Sequence, residues 1–235
     1  MSHQDNNSQP ETNRLNKYLA FHLGLSRRKA DDLIADGKIT INDEKAVLGA
    51  RIKPEDKIAV SGHDVTEKKD FTYIAFHKPR GFVCSRKQQG ETPTIYSILP
   101  RDLSHLKPVG RLDADSSGIL LLSDDGDFTQ RMTHPKYSKQ KEYIVTLDNA
   151  LAPLHQQMIA DFGVNLTDGR SQLGLARLDD DRKRWNVTMS EGRNRQIRRT
   201  FGALGYTVVE LHRTHFGPYT LEGLGEGKYQ TTKPV

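Results

Sequence analysis

The stretch GRLDADSSG (110–118) holds Asp113 and Asp115 two residues apart, behind Arg111 and ahead of two serines, and runs straight into the aliphatic ILLL (119–122). Carboxylates this close can chelate a cation or simply close a turn. Calcium is the first chemistry to weigh. DADSSGILLLSD (113–124) puts Asp113, Asp115 and Ser117 at positions 1, 3 and 5 of a calcium-type loop, with Gly118 at 6. Against it, Pro108 and Gly110 disrupt the helix such a loop follows, positions 7 to 10 are aliphatic, and position 12 is Asp124 where a bidentate Glu belongs. Without further context Asp113 reads as a turn aspartate that accepts backbone N–H groups. No metal site is expected elsewhere: HRTH (212–215) alternates along a strand with no third ligand in view, and DFG (161–163) ends a helix.

The second chemistry-bearing stretch is EGRNRQIRR (191–199). On a helical wheel over 193–205, Arg195, Arg198 and Arg199 share one side, and Ile197, Phe201 and Leu204 the other. Such a helix packs by its apolar face and turns guanidinium groups outward. Like charges at this spacing repel, and the stretch offers four arginines only Glu191. A polyanion or a carboxylate from elsewhere would relieve them, and arginine suits either partner because its planar fork stays charged and grips oxyanions in two places.

The elements that must position these groups form a two-domain chain. RLNKYLAFHLG (14–24) predicts a short helix stopped by Gly24. Ser26 caps a second helix ended by Gly37, and KITIN (38–42), a turn at Asn42-Asp43 and KIAV (57–60) make a small hairpin. Residues 14–62 carry ten Lys or Arg against seven acids. Arg27, Arg28 and Lys29 fall in the first turn of the second helix, where the helix dipole disfavours cations; with Arg14 and Lys17 they point to phosphate contacts. Residues 1–13 read as a disordered tail and 63–70 as a linker. Beyond it, 71–79, 119–122, 141–147, 184–189 and 206–217 read as strands, and 151–163 and 193–205 as helices. The class is therefore α+β.

Composition sets the outer limits. The chain has 235 residues and net charge +5, which favours polyanionic partners. Cys84 is its single cysteine, so no internal disulfide or cysteine zinc site can form and a reducing, cytosolic compartment is expected. The N-terminus lacks the apolar core of a signal peptide, and no apolar run is long enough to span a bilayer.

RLNKYLAFHLGLSRRKADDLIADGKITIND (14–43) resembles the small RNA-binding module named after ribosomal protein S-four. VGRLDADSSGILLLSDDGDF (109–128) resembles the signature of pseudouridine synthases of the RsuA/RluB/RluE/RluF family, and HKPRGFVCS (77–85), KEYIV (141–145), EGRNRQIRR and VVELHR (208–213) match that family's other blocks in order. The resemblance implies an ααβ RNA-binding module over 14–62, then a mixed, largely antiparallel-sheet catalytic domain over 71–235. It also implies isomerisation of a uridine in ribosomal RNA, with the small subunit favoured, by a monomer that needs no cofactor, metal or membrane; the RNA could be free or in a ribosome-assembly intermediate. A ribosome-assembly factor without catalytic activity and a large-subunit enzyme are the alternatives.

By the same resemblance Asp113 is the catalytic aspartate and Arg198 the basic residue paired with it. Tyr143 is the aromatic that stacks on the uracil, Leu211 the apolar wall opposite, and Arg111 and Arg195 further substrate contacts. Breaking a glycosidic bond builds positive charge on the sugar, which an ionised carboxylate can stabilise, capture, or exploit by taking a proton. Asp115, two residues along an extended stretch, is expected to point away from Asp113. Gly110 and Gly118 are expected to let the backbone approach the RNA.

Overall fold

A computed structural model of the chain describes residues 12–65 and 70–235, which divide into two compact units at Phe71/Thr72. The expected tail up to residue 11, and residues 66–69 of the expected linker, lie outside the described residues.

The first unit opens with β1 (Asn13–Arg14), paired with β4 (Arg51–Ile52), so the strand begins one residue inside the expected tail. The Arg51 guanidinium donates to the Thr12 carbonyl at 3.2 Å and fastens this end. Helices α1 (Leu15–His22) and α2 (Arg27–Ala35) follow. Ser26 Oγ accepts from the Lys29 amide at 3.1 Å and satisfies one of the open N–H groups of α2. Strands β2 (Ile39–Ile41), β3 (Glu44–Lys45), β5 (Ile58–Val60) and β6 (His63–Asp64) form an antiparallel sheet in the order β3-β2-β5-β6. The expected linker therefore starts too early: His63 and Asp64 complete the sheet edge, and the Val65 amide bonds the Ile58 carbonyl. Leu15, Leu19, Ala30, Ile34, Ile39 and Ile58 close one core, and each large apolar side chain buried contributes about 1.5–3 kcal/mol.

The second unit is built on one nine-stranded sheet. Its strands are β7 (Tyr73–Lys78), β8 (Lys107–Val109), β9 (Ser117–Ser123), β10 (Lys141–Leu147), β13 (Gly174–Arg177), β14 (Arg184–Met189), β15 (Val208–Phe216), β16 (Tyr219–Thr220) and β17 (Tyr229–Thr231). The order is β13-β14-β10-β15-β9-β7-β17, with β16 on β15 and β8 on β9. Every pairing is antiparallel except β9 with β15. A small hairpin, β11 (Val164–Leu166) and β12 (Gly169–Ser171), stands apart.

All of β9 is buried, as its unbroken aliphatic run requires of a strand covered on both faces. The two-residue period sends Leu120 and Leu122 into one core with Phe76, Tyr143, Trp185 and Phe201. It sends Ile119 and Leu121 into another with Val109, Phe128 and Phe216. Helix α3 (Gly126–Thr133) is capped by the Asp125 carboxylate, which accepts from the amides of Asp127 and Phe128. The helix expected over 151–163 is α4 (Pro153–Gln157) continued by one wide turn to Phe162. The arginine helix is shorter than expected: α5 runs only from Gln196 to Gly202.

Candidate active site

The Asp113 loop is held by its own backbone. After β8, Gly110 turns the chain with φ +73°, and the Ser116 amide closes a turn on the Asp113 carbonyl at 3.1 Å. That turn overturns the expected extended geometry: it carries the Asp113 and Asp115 side chains to the same guanidinium. Beneath it lies Lys78, fully buried at the end of β7. Its Nζ donates to the carbonyls of Pro79 (3.0 Å), Asp113 (3.1 Å) and Ser116 (2.8 Å). Burial pushes the Lys78 ammonium below its ordinary range, against the pull of Cys84, Asp113 and Asp115. The Gly81 amide binds the Ala114 carbonyl at 2.7 Å, and Cys84 Sγ and the Leu112 backbone bond each other reciprocally. Four of the loop's carbonyls are thus fixed from outside it.

Gly118 serves the sheet rather than the RNA. Its residue pairs with Arg213 across the parallel β9–β15 step, and at φ +115° a Cβ would run into the Arg213 backbone. This corrects the expected role of that glycine.

The arginines also depart from the helical wheel. Arg195 is not in α5 but precedes it, in a left-handed conformation with φ 46° and ψ 34°. From there its guanidinium donates to Asp113 Oδ2 at 3.2 Å and to both oxygens of Asp115 at 3.2 and 3.1 Å. Arg198 turns inward. It donates to the carbonyls of Val208 (2.5 Å) and Asp115 (3.0 Å), and its Nε lies 3.3 Å from Asp115 Oδ2. Among the described contacts none joins Arg198 to the Asp113 carboxylate, so the expected pairing is corrected to Arg195. Arg198 lies inside α5, where the Val208 and Asp115 carbonyls and the Asp115 carboxylate claim it. Arg199 points elsewhere and grips Asp168, in the β11–β12 turn, at 2.7 and 2.9 Å. Arg193 shares Asp168 at 3.0 Å.

Partial burial opposes ionisation of Asp115, but its hydrogen bond from Arg195 and the charges of Arg198 and Arg195 prevail and hold its carboxyl below the usual aspartate range. The same Asp115 contact raises Arg195, whereas burial lowers Arg198; both stay charged.

A cavity of about 290 Å³ opens beside the loop. Asp113, Arg111, Tyr143, Leu211 and Arg195 line it, together with Lys141, Met189, Ile197 and Arg213; Arg198 does not. Tyr143 pairs with Arg213, and Val145 with Leu211, across β10 and β15. Tyr143 and Leu211 are therefore diagonal neighbours on one sheet face and form one wall, not two facing plates as expected.

Sequence reading missed Lys78, Lys141 and Arg213 as parts of this site. Their signal was a cation at an inward position whose inward neighbours along the strand are apolar. Lys141 Nζ donates to the carbonyls of Lys139, Ser190 and Glu191, and burial, then Arg213, lowers its pKa to about 8. The Arg213 guanidinium donates twice to the Ile119 carbonyl, at 2.8 and 2.7 Å. The other cations expected on RNA belong to the first unit. Arg14 is exposed on β1, Lys17 half-buried on α1, and Arg27, Arg28 and Lys29 exposed in the first turn of α2. Among the described residues no cluster of His, Cys, Asp or Glu could hold a metal ion, and no helix is long and apolar enough to cross a membrane.

An anionic loop pinned beside an aromatic and aliphatic cavity, on a mainly antiparallel sheet, defines a class of RNA-modifying fold. The RNA pseudouridylate synthase family matches residues 72–203, and the S4 domain matches residues 13–58. The chain belongs to the RNA pseudouridylate synthase family, and it is a pseudouridine synthase with an S4 domain at its N-terminal side. It is 36% identical to the ribosomal small subunit pseudouridine synthase A of Pasteurella multocida (strain Pm70), over 93% of this chain and 95% of that one. It is 34% identical to the ribosomal large subunit pseudouridine synthase B of Bacillus subtilis (strain 168), over 94% and 92%. A crystal structure of a pseudouridylate synthase superposes with a TM-score of 0.66 at 35% identity, covering 94% of this chain and 96% of that one.

Proposed function

We propose that this enzyme isomerises one uridine of ribosomal RNA, the small-subunit RNA being favoured, and that it acts as a cytoplasmic monomer without cofactor. Several relatives named for the small subunit are 34–37% identical to the chain and support that preference. Residues 13–64 form the RNA-binding module, with Arg14, Lys17, Arg27, Arg28 and Lys29 on phosphates, and residues 72–235 form the catalytic domain.

The single observation that carries this reading is that Asp113, pinned by Lys78 and touched by Arg195, lines the same nucleoside-sized cavity as Tyr143 and Leu211. A target base inside a folded RNA must leave its stack to reach such a cavity. There the bond from ribose C1′ to uracil N1 breaks, the ring turns on the Tyr143 and Leu211 wall, and C1′ bonds to C5. The C5 proton leaves and N1 gains one, so nothing is oxidised and no group is lost. Asp113 supplies the negative charge that meets the ribose as it becomes cationic. Arg195 and Arg111 hold the substrate at the mouth, and Arg198 fixes the loop from behind.

The test is Asp113→Asn, isosteric and uncharged. Conversion of ribosomal RNA should vanish while RNA retention on a filter stays near wild type; ordinary turnover by this variant overturns the reading. Mapping pseudouridines in both ribosomal RNAs from cells lacking the gene identifies the subunit.

A further inference from the structure

Two carboxylates and two arginines meet at the cavity mouth, but they are not shared evenly. Arg195 forks onto both oxygens of Asp115 and reaches Asp113 with a single N–H. Arg198 touches Asp115 through its Nε, its Nη2 donates to the Asp115 carbonyl, and it leaves the Asp113 carboxylate alone. Asp115 thus takes nearly all the positive charge, and Asp113 keeps one oxygen outside any described ion pair. Arg198 is anchored, with a side chain only 12% exposed and a bond to the Val208 carbonyl. Arg195 is the one able to move. Its side chain is 42% exposed, it leaves a left-handed residue ahead of the helix, and its described side-chain hydrogen bonds go to the two aspartates alone.

We propose that Asp115 is a positioning residue that captures Arg195, so that the Asp113 carboxylate stays lightly paired and able to react. This rests on the reading of Asp113 as the reacting carboxylate. A free aspartate beside an unclaimed arginine forms a bidentate pair, which lowers its basicity and covers the oxygen a ribose must approach. Asp115 occupies that fork instead. When RNA arrives, a phosphate can draw Arg195 off Asp113 while Asp115 still holds it at the mouth. Around the pair stand Lys78 and Arg80 on the β7 side, Cys84 behind Leu112, and Arg195 and Arg198 on the helix side.

Asp115→Asn, close in shape and without charge, lets Arg195 swing fully onto Asp113. Its kcat should fall by about tenfold with KM unchanged within about twofold. In the double variant Asp115→Asn with Arg195→Gln, kcat should rise back to that of Arg195→Gln alone, since the arginine that smothers Asp113 is gone. Asp115→Ser gives the same comparison with a smaller side chain. Wild-type kcat in Asp115→Asn, or a double variant in which the two losses multiply, overturns the proposal. Asp113→Asn measured alongside separates the two readings: if it still turns over, the assignment of Asp113 is at fault; if it is inert while Asp115→Asn is unimpaired, only the role of Asp115 is.

Discussion

Two arginine–aspartate clusters grow from the same nine residues, 191–199, and they end in different places. In one, Arg193 and Arg199 close on Asp168 at 2.7–3.0 Å at the tip of the β11–β12 hairpin. In the other, Arg195 and Arg198 divide between Asp113 and Asp115 at 3.0–3.3 Å beside a cavity with aromatic and aliphatic walls. The first is saturated: Asp168 takes the fork of Arg199 and one N–H of Arg193, whose other hydrogen bonds go to nearby carbonyls and Glu191. The second leaves a carboxylate partly unclaimed at an opening. Identical side chains therefore brace a hairpin or border an opening according to what else their elements bring near.

That contrast can be broken by experiment. The largest effect should come from Asp113→Asn, with a loss of at least about a thousandfold in turnover, while Asp168→Asn on the other cluster changes kcat by no more than about twofold. Comparable losses in single-turnover assays of the two would erase the distinction between the clusters.

Lys78→Met comes next, because it removes a buried donor shared by the Pro79, Asp113 and Ser116 carbonyls, of which Asp113 still accepts from the Ser116 amide. We expect a stability loss of about 1–3 kcal/mol in thermal melts and a fall of about tenfold in kcat, since Asp113 loses its support. Unchanged kcat in a folded Lys78→Met protein would show that the loop holds itself.

The smallest effect is on stability against pH. Lys141 titrates at about 8 in the folded chain against 10.5 normally, so the unfolded state binds more protons between those values. Stability should rise, not fall, as pH increases from about 8, and Lys141→Met should flatten the rise in denaturant titrations. Above pH 10, Tyr73, raised by burial and by Asp125, works in the opposite direction.

Much of the fold was legible because its signals are local. The capping Ser26, the turn at Asn42-Asp43 with φ of 51° and 69°, the doubly buried run of β9 and the alternation of β10 are each set by a few neighbouring residues. The site was legible in its membership but not in its pairings. Asp113, Tyr143, Leu211, Arg111 and Arg195 do share a cavity. Arg198 was paired with Asp113 by resemblance, and a motif position carries no contact; the helical wheel in turn hid that Arg195 lies outside α5, from where it reaches Asp113. Asp115 was aimed the wrong way because the two-residue period was misapplied: positions two apart in an extended stretch share a face, and the turn closed by the Ser116 amide keeps both carboxylates within reach of Arg195. Lys78 stood out only as a cation in an apolar strand, and Asp168 not at all, since the partners that define their roles, Asp113 and Arg199, lie more than thirty positions away.

By itself the sequence determined which residue types lie where along each element, and through its ordered blocks which chemistry they resemble, because helix and strand periods and turn chemistry are local properties of the chain. Only the tertiary structure decided which arginine meets which aspartate. Ion pairs form between whichever charges the packed sheet, the hairpin and the loop bring within about 4 Å, and that distance is fixed by contacts from across the domain.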